Sequence, residues 1–237
     1  MVNRIFGFIA FAVIILLVST IACDQSSEIP DTWTRIFPVD RARFSDMGIN
    51  PCFNLTPGYY VMLEGEEDGE SVRLIVTVLD ETRMVDGIKT RIVEERELVD
   101  GELIEVSRNY FAMDTVTNSV FYFGEEVDIY RDGELVGHEG AWESGKDGAK
   151  FGLMIPGIIL LGARYYQEIA PGEAMDRAEI VSMTENMKTP AGEFSGCMKI
   201  EETTPLEPGV KEYKFYCPGI GLIRDSDLVL IEYGTKD

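Results

Sequence analysis

One histidine, His138, serves the whole chain, and no two of the four cysteines fall into a C-x-x-C pair. These scarcities exclude His-rich metal centres and zinc ribbons, whose ligands come in closely spaced His and Cys pairs. They also thin the catalytic options. A serine or cysteine hydrolase needs a base within hydrogen-bond reach of its nucleophile. No nucleophile elbow or cysteine-protease signature accompanies His138 in "ELVGHEGAW", which reads as a hairpin histidine with a structural hydrogen bond. Positive charge is scarce too: 21 Lys and Arg stand against 42 Asp and Glu, a net charge of −21. Such a field repels nucleic acid and anionic lipid surfaces, which bind proteins through Lys and Arg on phosphate. It suits solubility, cations or basic partners. Helical stripes are missing beyond residue 22; "GEAMDRAEIVSM" is the one ambiguous segment and reads better as a strand. No cofactor is implied.

The positive signals begin at the N-terminus. Arg4 precedes an apolar run from Ile5 to Val18, and a short region, Ser19 to Ala22, leads to Cys23. A weakly basic start, an apolar stretch and a small residue before a cleavage point make a secretory signal over residues 1–22. Thr20-Ile21-Ala22-Cys23 resembles the lipobox of bacterial lipoproteins, departing from it at Thr20. Three readings are open: lipidation at Cys23, ordinary cleavage after Ala22, or an uncleaved anchor, for which the run is short against the ~20 apolar residues of a spanning helix. All three export the domain, and lipidation is the leading one. It places the domain outside the cytoplasm, lipid-anchored on the periplasmic or cell-surface side of a membrane. Losing Arg4 with the signal leaves a net charge of 20 − 42 = −22.

Residues 23–50 read as a tether: "DQSSEIPDTW" is polar, although Trp33, Ile36 and Phe37 could dock on the domain. From Pro51 to the end, one β-rich domain is the economical division. "ESVRLIVTVLDET" sets Val72, Leu74, Val76 and Val78 two apart, on one face of a strand. "SVFYFG", "RYYQEI" and "KEYKFY" suit half-buried pleated surfaces. Asp-Gly recurs at 68–69, 86–87, 100–101, 132–133 and 147–148 between such runs, and this pair tolerates the positive φ of tight hairpins. The expectation is all-β: an antiparallel meander of roughly ten strands in a curved sheet, an open barrel or a sandwich.

Two motifs come close and fail. "GAWESGKD" matches a phosphate-binding loop except that Asp147 stands where a hydroxyl should meet magnesium, and no strand-to-helix context accompanies it. "DIYRDGELVGHE" has four calcium-loop residues in place, but Tyr130 spoils position three and the flanks read as strands. No metal site is assigned. Carboxylate pairs such as Glu66/Glu67, Glu94/Glu95 and Glu125/Glu126 are expected by chance in so acidic a chain. Neighbours on a strand point to opposite faces, so adjacency alone does not build a glycosidase pair.

The apolar run "GLMIPGIILLGARYY" is broken by Pro156-Gly157. It reads either as core joining two strands or as an exposed or pocket-lining loop. In the second reading Met154, Ile158, Ile159 and Leu160 contact an apolar ligand or a partner. Near the C-terminus, "KTPAGEFSGCMKIEETTPLEPGVKEYKFYCPGIGLIRD" contains Cys197 and Cys217, each ten residues from Glu207. A hairpin centred there sets them opposite one another at a separation a disulfide can bridge. Cys52 is then a free thiol.

The same segment, with "LTPGYY", "FYFGE" and "HEGAW", resembles a family of uncharacterised bacterial secreted proteins and lipoproteins. That resemblance implies a β-rich exported domain and carries no catalytic residues. A looser similarity in strand pattern to periplasmic lipoprotein-carrier domains implies a concave sheet that holds acyl chains. The expectation is therefore a membrane-tethered envelope protein, non-enzymatic, whose β domain binds an envelope partner or an apolar ligand. The alternatives are an envelope-polymer hydrolase working through an acidic pair, or a purely structural surface protein.

Overall fold

Asp68, Asp86, Asp100, Asp132 and Asp147 all sit at φ between 47° and 52°, each followed by a glycine at positive φ. This is the conformation that a two-residue hairpin demands and that Asp-Gly accepts at little cost. Around these turns the computed structural model, which describes residues 32–236, builds one long antiparallel sheet. Its main strands are β1 (Tyr59–Glu67), β2 (Glu70–Val85), β3 (Ile88–Val99), β4 (Glu102–Asp114) and β5 (Val120–Arg131). They continue as β6 (Lys150–Ile155), β7 (Arg177–Thr189), β8 (Gly192–Thr203), β9 (Glu212–Cys217), β10 (Gly221–Asp225) and β11 (Leu228–Thr235). The segment ambiguous between helix and strand in the sequence enters β7.

The sheet runs β7-β8-β9-β10-β11-β1-β2-β3-β4-β5-β6, and both flanks are covered by pieces of one segment. Arg164–Tyr166 pairs with β7, and Glu168–Ile169 pairs with β6. Gln167 alone stands between them. The meander thus curls into a barrel that closes through a single stretch of chain, and in the middle of the sheet the first main strand of the chain, β1, pairs with the last, β11. Gly152 lies against this clasp, where a Cβ would come within 2.4 Å of the Gln167 carbonyl.

Strand direction separates two ends. The turns β1–β2, β3–β4 and β10–β11 and residues 204–211 lie at the lower end; residues 115–119, 156–163 and 218–220 lie at the upper one. The upper end is plugged. Residues 46–58 cross it, and Cys52 and Leu55, both 0% exposed, insert among Phe111, Met113, Tyr122, Ile155, Ile180, Met198 and Tyr216. Burying a side chain of leucine's size contributes ~1.5–3 kcal/mol. A second cluster gathers Leu63, Leu74, Ile223 and Leu230 with the Cys197–Cys217 disulfide. The register of β8 on β9, Met198 opposite Tyr216 and Glu202 opposite Glu212, is the one the sequence spacing requires.

The packed unit begins at Thr32, so the later part of the expected 23–50 tether belongs to the domain. Thr34 bridges to Tyr165 in parallel. Phe37, Val39 and Phe44 cover a third cluster on β2–β6, and Phe44 meets Phe121, Phe123 and Phe151 edge-on at 5.2–5.9 Å. Ile36, by contrast, is 78% exposed. The difference has a simple cause: aromatics spaced irregularly along a polar segment give no periodic signal, yet each can fill a gap on a sheet already built.

Candidate functional site

Four segments meet at the upper end, and none contains a charged residue: 47–63, 115–119, 151–163 and 216–223. In a chain with 27% charged residues, their meeting concentrates apolar surface. Side-chain and backbone bonds tie them together. The Asn50 amide donates to the Asn118 and Pro156 carbonyls at 2.8 and 3.1 Å. Gly157 N–H donates to Ser119 Oγ, Gly219 N–H to the Pro51 carbonyl, and the Tyr59 hydroxyl to the Ile220 carbonyl. On this framework Ile49, Val116, Ile158, Leu160 and Leu161 stand 62–73% exposed, with Met47 beside them. Monomeric proteins seldom display contiguous apolar surface without a use for it.

The four residues read from the apolar run divide between the two readings offered for it. Ile158 and Leu160 are on the exposed rim. Met154 and Ile159 pack partly buried against the core, and Met154 Sδ receives the Gln167 amide at 3.4 Å. Leu161, Ile49 and Val116 escape sequence reasoning because their proximity is made by the fold; the uncharged character of all four segments is the signal that could have found them. Cys23 lies outside the described residues. Cys52 is buried and unpaired, and burial pushes its thiol up to about 11, away from the reactive thiolate.

Below the plug the interior turns polar. Glu95 on β3 faces Lys214 on β9 and Asp225 on β10, strands separated from β3 by β11, β1 and β2 in the sheet order. Only the curl of the barrel brings them together. Lys214 Nζ lies 3.0 Å from Glu202 and 3.7 Å from Asp225, and its side chain keeps 24% exposure. Gln167 Nε2 donates to the other Glu202 oxygen at 2.9 Å. Glu168, 2% exposed, accepts from the Asp176 N–H. Burial raises Glu95 to about 7, Glu125 to about 8 and Asp176 to about 6, and holds Glu168 well above the carboxylate range. For Lys214 burial acts downward, but Asp225 and Glu202 outweigh it and keep the ammonium charged. The adjacent pairs split as strand geometry requires: Glu94 pairs with Arg96 and Arg108, and Glu126 with Arg83, while Glu95 and Glu125 face in.

A cleft of about 290 Å³ reaches Glu125 from the side, lined also by Trp142, Glu126, Glu143, Arg83 and Lys146. Arg83 bridges Glu126 and Glu143 at 3.0 and 3.1 Å, and Lys146 holds Glu143 at 2.8 Å. The near-miss motifs are spent structurally. Asp132-Gly133 turns the hairpin into Glu134–Gly137, Asp128 pairs with Arg108, and His138 Nδ1 lies 2.7 Å from the Val127 carbonyl. Among the described residues no group of His, Cys, Asp and Glu is placed to hold a metal ion, and no helix is long and apolar enough to cross a membrane.

Fold and surfaces define an all-β barrel-like domain with an apolar upper rim and a carboxylate-lined interior. No protein-family model and no curated protein matches the chain. Among solved structures it is similar to a protein from Parabacteroides distasonis provisionally described as a lipoprotein, at 14% identity and a TM-score of 0.41, over 79% of this chain and 100% of the other.

Proposed function

We propose that the protein is an exported, membrane-tethered envelope protein, lipidated at Cys23, whose barrel is a non-enzymatic binding module working through its upper rim. The observation that carries the reading is the set of exposed apolar side chains on uncharged segments that hydrogen bonds hold together at one end of the barrel, behind an N-terminal sequence built like a lipoprotein signal. The resemblance of residues 188–225 to secreted bacterial proteins and lipoproteins points the same way. A continuous acyl cavity inside the sheet does not: side chains fill the upper interior, and carboxylates line the lower. The test is the anchor. Native protein should partition into detergent and label with palmitate, and Cys23→Ala should abolish both, since stable attachment needs the acyl chains that lipoprotein processing adds. Unchanged partitioning in the variant would point to an uncleaved helix.

The cleft favours a second reading, hydrolysis of an envelope polymer. Glu125, pushed up to about 8, is a proton donor at neutral pH, with ion-paired Glu126 and Glu143 beside it. Such divergent environments are how paired carboxyls divide acid and base work. Activity on cell-wall glycans that disappears in Glu125→Gln would establish it; equal inactivity of both proteins would remove it.

A further inference from the structure

We propose that the upper rim is itself a membrane contact: Ile49, Val116, Ile158, Leu160 and Leu161 seat in the headgroup–acyl boundary of the bilayer to which the chain is tethered. The inference rests on the tethered reading above and adds the orientation of the domain and the occupant of its apolar surface.

Three observations select a bilayer. First, the chain joins the domain at the same end. Thr34 N–H donates to the Arg164 carbonyl and the Thr34 carbonyl accepts from Tyr166 N–H, in parallel with that segment, so residues 33 and 32 lie on the side of Ala163 and the 156–163 loop. From Cys23 to Thr32 there are 32 − 23 = 9 residue steps, a reach of at most ~30 Å when fully extended. The rim is therefore held within a short chain length of the acyl groups. Second, the surface lacks charge. A bilayer takes up side chains without charge, and the exposed rim residues Ile49, Val116, Ile158, Leu160 and Leu161 stand on segments that hold no Lys, Arg, Asp or Glu. The carboxylates that border these segments are ion-paired, Asp46 with Arg91 and Lys89 and Asp114 with Arg43. Third, the edge of the rim has an interfacial character. Lys236 bonds through its N–H to Gly58 and places its ammonium 4.9 Å from the Tyr60 ring centroid. Tyrosine is enriched at the water–lipid boundary, and the hydroxyl of this one donates to Glu232.

The experiment compares two tryptophan probes in the full-length, lipidated protein, reconstituted into phosphatidylcholine vesicles with and without brominated acyl chains. Leu160→Trp reports on the rim, and Leu135→Trp reports on the hairpin at the lower end, where Leu135 is 51% exposed. Emission from Trp33 and Trp142 is subtracted using the parent protein. The expected result is a blue shift and a loss of emission in brominated vesicles for Leu160→Trp, with neither for Leu135→Trp. Protein that floats with the vesicles but shows no quenching at position 160 overturns the seating and leaves the tether standing. Protein that fails to float overturns both. A photo-crosslinker at position 160 that captures a protein partner or a second copy in intact cells, with no quenching in vesicles, assigns the rim to that occupant and overturns the bilayer.

Discussion

Leu55 near the top of the barrel and Glu202 towards its lower end are both withdrawn from solvent, at 0% and 8% exposure. Leu55 is held by apolar neighbours and gains stability from its burial. Glu202 is held by Lys214 and Gln167 and carries the desolvation cost of a charge, which only good partners offset. The upper interior is filled by apolar side chains below a rim of exposed ones; the lower interior is lined by carboxylates. The contrast teaches that burial alone does not mark a stabilising residue in this barrel. What matters is whether a buried polar group finds partners that offset its desolvation.

The largest break in that contrast should come from Ile155→Asp. Ile155 is fully buried in the upper core, and an unpaired carboxylate there costs several kcal/mol, so thermal denaturation should show a much lowered or absent transition. Removing the disulfide comes next. Cys197 and Cys217 close a loop of 20 residues, worth about 3 kcal/mol in the chain-entropy model. Reduction should lower the transition temperature, and non-reducing peptide mapping should recover the linked pair with Cys52 free.

The lower interior should respond to pH in a defined direction. Glu125, Glu95 and Asp176 rise to about 8, 7 and 6 in the folded protein, against values near 4 in an unfolded chain. The native state then binds more protons than the unfolded state. Stability is fully present below about pH 4 for these groups and is lost as pH climbs through 6 to 8. Melting at constant ionic strength should show a fall between about pH 5 and pH 8.5. Glu125→Gln should flatten it and raise stability at the alkaline end by on the order of 1–3 kcal/mol. A transition temperature that rises over this range would contradict the assignment. The smallest effect on stability belongs to Ile158→Asp, close in sequence to Ile155. Its side chain is 73% exposed, so unfolding should shift by less than about 0.5 kcal/mol while rim-dependent binding is lost.

Local chemistry is readable from the chain itself. Four Asp-Gly hairpins, the alternation of Val72, Leu74, Val76 and Val78, and the β8–β9 register derive from short-range spacing and are found; the fifth pair, Asp147-Gly148, turns between two segments that each pair with β5 and not with one another. Closure is not readable, because nothing near Gln167 announces that its two sides pair with opposite flanks of the sheet. The docking of Phe37 and Phe44 is equally hidden, as is the meeting of Ile49, Val116 and Leu161. The inward carboxylates leave a faint trace. In "RIVEERELV" the face that begins with Val93 continues as Glu95 and Glu97, a switch from apolar to acidic that marks where dry interior ends.

The seam between β1 and β11 also sets a timetable. Its pairs join residues 229 − 64 = 165 to 235 − 59 = 176 positions apart, among the longest separations the chain offers. Contacts of such range form late, after the loop-closure entropy has been met. In a chain made from its N-terminus, β1 must wait with one edge unpaired until β11 has emerged. During that interval Cys52, Cys197 and Cys217 are all unburied thiols, with three possible pairings among them. An oxidant acting before the seam closes can trap either of two wrong crosslinks, so oxidative refolding from the reduced chain should yield less native protein than refolding with the 197–217 bond already made.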